Sequence, residues 1–316
     1  MIMQLRLRLV LPACLAVIGL CCAQHTIPVS RTADAHITDL HLPALPPGDV
    51  LVRHQGFVLA YRERHEQASW VAYQLTREET DGPAERSNRF VADPTVPSGS
   101  ATDEDYAGSG YDRGHLAPAG DMTWSPDVMQ ESFFYSNMSP QVPAFNRGIW
   151  KKLETLVRSW AAEAGALEIA TGPILVENLP VIGPNGVSVP THYYKVVLDY
   201  QLPGIRAAAF VLPNAPSSLS LDHFMVPIDS VEKWTGIDFF PLLPEQEEDL
   251  LERMTDRRAW DWHATSHAGA EARETDEAEP ATEPASSVQC EANTKEGSRC
   301  RNRTTSPSGR CRLHQR

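Results

Sequence analysis

From residue 56 to residue 76 apolar and polar side chains alternate, with Phe57, Leu59 and Tyr61 and then Val71, Tyr73 and Leu75 sharing one face. A period of two predicts two strands joined by the polar stretch 62–69. Residues 77–110, rich in charge, Gly, Pro and Ser, predict an extended surface loop. The period then changes. Trp150, Leu153, Leu156, Val157 and Trp160 recur at helical spacing, predicting a helix over 147–164 that Gly165 ends. Strand-like runs follow at 167–171, 193–200 and 207–212, and helical ones at 229–235 and 245–254. Pro180 and Asn185-Gly186 mark a turn between strands. Residues 24–45 lack a period and read as a loose lead-in. The stretch 263–288 repeats Ala, Glu, Thr and Pro and cannot bury enough surface to offset its chain entropy, so it reads as a disordered acidic linker. Together these predict a mixed α+β domain, with a central antiparallel sheet and flanking helices, over 24–262. A tether and a small module at 289–316 follow it.

The first 23 residues depart from this pattern. Arg6 and Arg8 precede an apolar run over 9–20 that ends in Cys21-Cys22-Ala23. The run is too short to span a bilayer, and the arrangement predicts a cleaved export signal at 1–23 and a secreted or periplasmic protein. A lipid anchor on a cysteine is the competing reading. It is opposed by bulky Leu20, where such signals carry a small residue. Cys14, Cys21 and Cys22 fall in this leader and Cys290, Cys300 and Cys311 in the tail, so the central domain folds without disulfides.

The formal charge of −13 is unevenly spread. The leader holds +2, residues 263–288 hold −5 and the tail holds +5, which leaves −15 on the central domain. Such a balance is evidence against tight, processive binding of a polyanion, which needs many cationic contacts. A cleft with a metal and a few arginines remains compatible with it.

Candidate chemistry begins at Tyr111-Asp112-Arg113-Gly114-His115. Phosphodiester hydrolysis needs a base to deprotonate water and cations to absorb charge in the transition state, and these residue types supply both. A strand carrying an Asp–Arg pair and a structural histidine fits the same residues equally well. Downstream come Asn137-Met138-Ser139-Pro140-Gln141 and Phe145-Asn146-Arg147-Gly148-Ile149-Trp150, then Glu154 and Arg158. Residues 146, 150, 154 and 158 form one stripe of the predicted helix. On that helix Asn146 also reads as an N-cap, Trp150 as core, and Glu154 with Arg158 as a surface pair. His54, His65, His192, His223, His263 and His267 are scattered and read as structural or exposed. The cluster Trp260-Asp261-Trp262 reads as a docking edge of the domain.

This ordered set resembles the DNA/RNA non-specific endonuclease family, of the ββα-metal or His-Me finger, endonuclease G-like type. The resemblance runs from about residue 50 to about residue 250 and includes Trp70-Val71-Ala72-Tyr73, Thr171-Gly172-Pro173, Tyr193-Tyr194-Lys195-Val196 and the stretch from Phe224 to Phe240. It implies a ββα-metal finger active site and hydrolysis of DNA and RNA, with His115 as general base. It implies a single Mg²⁺ (or Mn²⁺) on Asn146, with Glu154 positioning a metal-bound water. Arg158 and Arg113 would face the substrate phosphate, Asp112 would be a structural partner, and Asn137 would orient the histidine. The family's upstream arginine falls on Arg86 or Arg89, and Arg86 is the better match. A catalytically idle, partner-binding fold and a hydrolase of another phosphodiester are the alternatives.

In the tail, Cys290, Cys300, Cys311 and His314 supply a complete tetrahedral Zn²⁺ set in a region with few apolar residues. One disulfide plus a free thiol is the other reading.

Overall fold

The computed structural model describes residues 39–201 and 204–263, together with the backbone of 27–28, 288–289 and 303–304. In chain order its strands are β1 (Ile27–Pro28), β2 (Val50–Arg53), β3 (Val58–Arg62), β4 (Gln67–Thr76), β5 (Asp112–His115), β6 (Met138–Gln141) and β7 (Ala166–Pro173). Then come β8 (Val181–Ile182), β9 (Val187–Ser188), β10 (His192–Asp199), β11 (Gly204–Pro213) and β12 (Met225–Val226). The helices are α1 (Asp103–Tyr106), α2 (Pro126–Glu131), α3 (Lys151–Ala164), α4 (Ile228–Thr235) and α5 (Glu245–Arg253).

An antiparallel sheet in the order β1-β11-β10-β7-β4-β3-β2, with β12 added beside β11, forms the centre. Alternation along β10 explains how the sheet is covered. Tyr193 and Val197 join Leu153, Val157 and Trp160 of α3 on one face. Tyr194, Val196 and Leu198 join Ile228 and Val231 of α4 and Leu251 of α5 on the other. Each large side chain so buried contributes about 1.5–3 kcal/mol. The fold is α+β, as the periodicities predict.

Two departures matter for the site. The predicted helix over 147–164 begins only at Lys151, because Phe145–Trp150 form a wide π-type turn with Gly148 at φ −106° and ψ −109°. Its end is as expected: Gly165 takes φ +100° and its N–H bonds the carbonyl of Ala161. The second departure is the loop 77–110, which buries Asp93, Ser100, Ala101, Asp105 and Tyr106. Carboxylates pin it. Asp93 lies 3.0 Å from His54 Nε2 and accepts from the N–H of Thr95, while Asp105 accepts from the N–H and side chain of Asn185 at 2.8 and 2.9 Å. No apolar period announces such a loop. The short strands β2, β5, β6, β8, β9 and β12 likewise lie outside the runs that periodicity predicts.

The chain divides into two compact units, residues 1–267 and 268–316. In the second, Val288 and Gln289 (β13) pair antiparallel with Thr304 and Arg303 (β14). Cys290, Cys300, Cys311 and His314, the leader 1–23 and nearly all of the predicted linker lie outside the described residues. Among the described residues, no helix is long and apolar enough to cross a membrane.

Candidate active site

The short strands β5 and β6 pair from Asp112↔Gln141 to His115↔Met138, and the chain then passes through the wide turn into α3. Close strand contact demands glycine in the middle of β5. A Cβ on Gly114 would lie 2.2 Å from Cδ of Gln141, a fully buried side chain.

Side chains alternate along β5. His115 and Arg113 face an aromatic wall made by Phe90, Phe133 and Tyr135. The His115 ring meets Phe133 edge-on at 4.9 Å, and its Nε2 is buried without a hydrogen-bond partner among the described residues. Burial, reinforced by the charge of Arg86, holds the imidazole well below its ordinary range, so it is neutral at pH 7. A neutral imidazole with an unpartnered nitrogen is the state a general base requires. The guanidinium of Arg86 stacks 5.2 Å from the centre of Phe133, the same ring that touches His115. Arg89 enters this region through its backbone carbonyl, which accepts from Gln130. Arg86 is therefore the arginine beside the histidine.

Arg113 is already engaged. It donates to Tyr135 Oη at 2.9 Å and to Asp103, and it lies 5.1 Å over Phe90. Its first role is to brace the aromatic wall. Asn137 also works through the backbone. Its Oδ1 accepts from the N–H of Ala117, and its Nδ2 donates to the carbonyls of Ala117 and Ser132. Both ends of its amide thus fasten the segment that follows His115.

Asp112 points the other way and ties β5 to the wide turn. It accepts from Asn146 Nδ2 at 3.0 Å and from Arg147 at 2.7 and 2.9 Å. A carboxylate only accepts, so the Asn146 amide nitrogen must face it, and Oδ1 is turned outward without a partner among the described residues. The capping role open to Asn146 from sequence is not taken up. An outward amide oxygen is a suitable donor for a hard, largely hydrated divalent cation. Among the described residues, groups of three His, Cys or carboxylate side chains with metal-ligand spacing occur only around Glu252, near α4 and α5, and not at the finger.

Under α3 lies an ionic layer that sequence reasoning only partly anticipates. Arg158 donates to Asp121 Oδ1 at 2.8 Å, and Tyr73 Oη donates to Oδ2 at 2.7 Å. Burial disfavours the Arg158 charge, but Asp121 outweighs this and holds its pKa above the usual value. Lys195 on β10 is 1% exposed, donates to Thr171 Oγ1 at 2.5 Å and lies 5.4 Å over Trp150. Burial pushes its ammonium down to about 8, against the opposing pull of Glu154 and Asp121. Sequence alone assigns Asp121 and Lys195 no role. The available signal for Lys195 is its position in an alternating strand, on the face shared with Tyr193 and Val197.

The chain is similar to known nucleases. Residues 43–246 match the family model described as DNA/RNA non-specific endonuclease. The chain is 38% identical over 212 residues to "Endonuclease G, mitochondrial" of Bos taurus, covering 62% of this chain and 71% of that protein. It is also 38% identical over 212 residues to "Nuclease C1" of Cunninghamella echinulata var. echinulata, covering 61% and 83%. Among solved structures it is similar, at TM-score 0.60 and 34% identity, to a chain of the crystal structure of the EndoG/EndoGI complex, over 65% of this chain and 90% of that one.

One expectation is corrected by these relatives. Several are named as mitochondrial nucleases, which overturns the secreted or periplasmic location read from residues 1–23. Arginines and the absence of any acidic residue before Asp34 are features that export signals and mitochondrial presequences share, so they do not discriminate.

Proposed function

The chain belongs to the DNA/RNA non-specific endonuclease family, and on that premise we propose that its β5–β6–α3 finger hydrolyses phosphodiester bonds of DNA and RNA with His115 as general base. The observation that carries the assignment is the neutral, buried His115 with an unpartnered Nε2, on a strand tied through Asp112 to Asn146.

In this reading the lone-pair nitrogen of the imidazole takes a proton from the attacking water. Arg86 and Arg158 present positive charge to the phosphate, and the negative charge that develops on its oxygens strengthens those contacts in the transition state. Arg113 supports the wall that fixes the imidazole plane, and Asn137 fixes the backbone behind it. Asn146 Oδ1 would hold Mg²⁺ (or Mn²⁺), with Glu154 acting through a coordinated water. When bound, such an ion supplies Lewis-acid stabilisation of the departing 3′-oxygen and of developing charge. Phosphate and metal contacts carry no base information, which suits a nuclease of low sequence preference.

Incubation of plasmid DNA and RNA with purified protein tests the reading. Degradation with Mg²⁺ and none with EDTA is expected, whereas binding without cleavage would favour an idle, nucleic-acid-binding fold. Asn146→Ala should lower the rate at sub-millimolar Mg²⁺ by roughly 10²-fold and recover part of it with excess Mg²⁺ or Mn²⁺. Normal cutting by this variant at low Mg²⁺ would remove the metal from Asn146. The same reading assigns the nuclease to 24–262, a linker to 263–288 and a basic Cys₃His module at 289–316 that takes a structural Zn²⁺.

A further inference from the structure

About a quarter turn round α3 from Glu154 and Arg158, on the flank that carries Lys151, Lys152 and Thr155, an open cleft of about 1150 Å³ runs along the helix. Its far wall comes from the segments around Ser220 and Arg258, and Ile149, Leu156 and Trp260 contribute apolar surface to it. It is larger than most small-molecule pockets, which span roughly 300–1,000 Å³. Its lining charge is one-sided. Arg147, Lys151, Lys152, Arg257 and Arg258 contribute five cations, and Asp222 is the one carboxylate among the lining residues. This concentration stands out in a chain of net charge −13.

The position of the cleft relates it to the finger. Arg147 lines it and also grips Asp112, the carboxylate that turns Asn146 outward. The cleft thus starts one residue from the proposed metal-binding amide. The two arginines of its far wall are accessible. The side chains of Arg257 and Arg258 are 50% and 77% exposed, and their carboxylate partners Asp222 and Asp256 stand 3.5 and 3.4 Å away. Exposed pairs of that kind are worth about 0–1 kcal/mol and yield readily to a phosphate.

We propose that this cleft binds the phosphodiester backbone of the polynucleotide substrate on one side of the cleaved bond. The proposal rests on the nuclease reading for its ligand and extends it to a second place of contact. Such a cleft resolves how an acidic protein engages a polyanion: five cations in one concavity create a local field that the net charge conceals. It also implies a preference for long chains, because a short substrate would occupy the finger and leave the cleft empty.

The test uses the full chain with Lys152→Glu and Arg258→Glu combined, two exposed residues outside the finger. For binding, the pair is placed in a His115→Ala background, and the affinity for a labelled 20-base-pair duplex is measured across a salt series. Affinity at low salt should fall by at least about tenfold, and the slope of log K against log salt should become shallower by about 1.8, or about 0.9 for each phosphate that the protein ceases to neutralise. The milder Lys152→Gln, Arg258→Gln pair should show the same change of slope and an affinity between those of the wild type and the Glu pair. With His115 intact, cleavage of the duplex should show a raised KM while hydrolysis of a nitrophenyl phosphodiester is unchanged. Unaltered affinity and slope would overturn the proposal, and so would an equal loss on duplex and nitrophenyl ester. A wild-type protein that binds duplex through these residues but cleaves neither substrate would instead overturn the nuclease reading.

Discussion

His115→Ala is expected to lower the rate of phosphodiester cleavage by roughly 10²–10⁴ while leaving the protein folded. The ring sits against Phe133 at the end of β5, and its removal leaves the Asn137 clamp on Leu116 and Ala117 intact. The wild-type pH profile follows from the same surroundings. Burial and Arg86 lower the pKa of His115, so the base stays neutral and competent down to a pH below the ordinary histidine value of about 6.5. As pH falls through the lowered pKa the imidazole takes up a proton and activity is lost. The acid limb of kcat/KM should therefore lie below about 6.5 and vanish from the residual activity of the variant. Near wild-type turnover in a folded His115→Ala protein, or an acid limb above about pH 7, would remove His115 from the role.

Why His115 is legible in the sequence and its supports are not has a physical basis. Asp112 to His115 brings three polar chemistries together within four residues, and Trp150 to Trp160 repeats at helical spacing, so the motif and most of α3 can be read directly. The start of α3 cannot. The chain between Phe145 and Trp150 has apolar residues where a helix would, and only the grip of Asp112 on Asn146 and Arg147 reveals the wide turn. Lys195 follows the opposite logic. The charge of a lysine favours solvent, whatever its place in the alternation, but β10 is covered on both faces, so Lys195 is buried beneath Trp150. Asp121 ends a single 3-10 turn, Ala119–Asp121, and its partners Tyr73 and Arg158 are distant in sequence in opposite directions. Such pairings are tertiary facts without a local signature. The export reading failed for another reason: its arginines and its lack of acidic residues belong to more than one kind of leader.

Asp121→Ala should be the most destabilising single change in the ionic layer. It leaves Arg158 without its carboxylate, and Tyr73 Oη without an acceptor, in a place where Asp121 itself is only 2% exposed. Breaking a buried pair from one side costs about 3–5 kcal/mol, and for a domain of this size each kcal/mol lowers Tm by about 2–4 °C. A fall of roughly 6–20 °C in the thermal midpoint is therefore expected, together with weaker cleavage, because Arg158 would no longer be held. The double variant Asp121→Leu, Arg158→Met removes both members of the pair and should regain part of the stability, with Tyr73 Oη still lacking its acceptor, but none of the activity. If Asp121→Ala melts within about 2 °C of wild type, a shift of the size of one surface contact, the layer does not hold α3 to the sheet.

The wide turn before α3 gives insertions and deletions a different standing from substitutions at this site. A regular helix rotates about 100° per residue. In an unbroken helix Asn146 would fall in line with Trp150, which is fully buried, and its amide would be directed towards the core. The turn at Gly148 takes it out of that line and delivers it to Asp112. A Cβ added at Gly148 would meet nothing within 4 Å, so the space beside the turn admits a side chain. Loss of one residue between Phe145 and Trp150 would let the chain wind into α3 without a break and swing Asn146 away from β5, with every catalytic side chain still present. The position of Asn146 thus depends on the reading frame of the helix as much as on the identity of its residues.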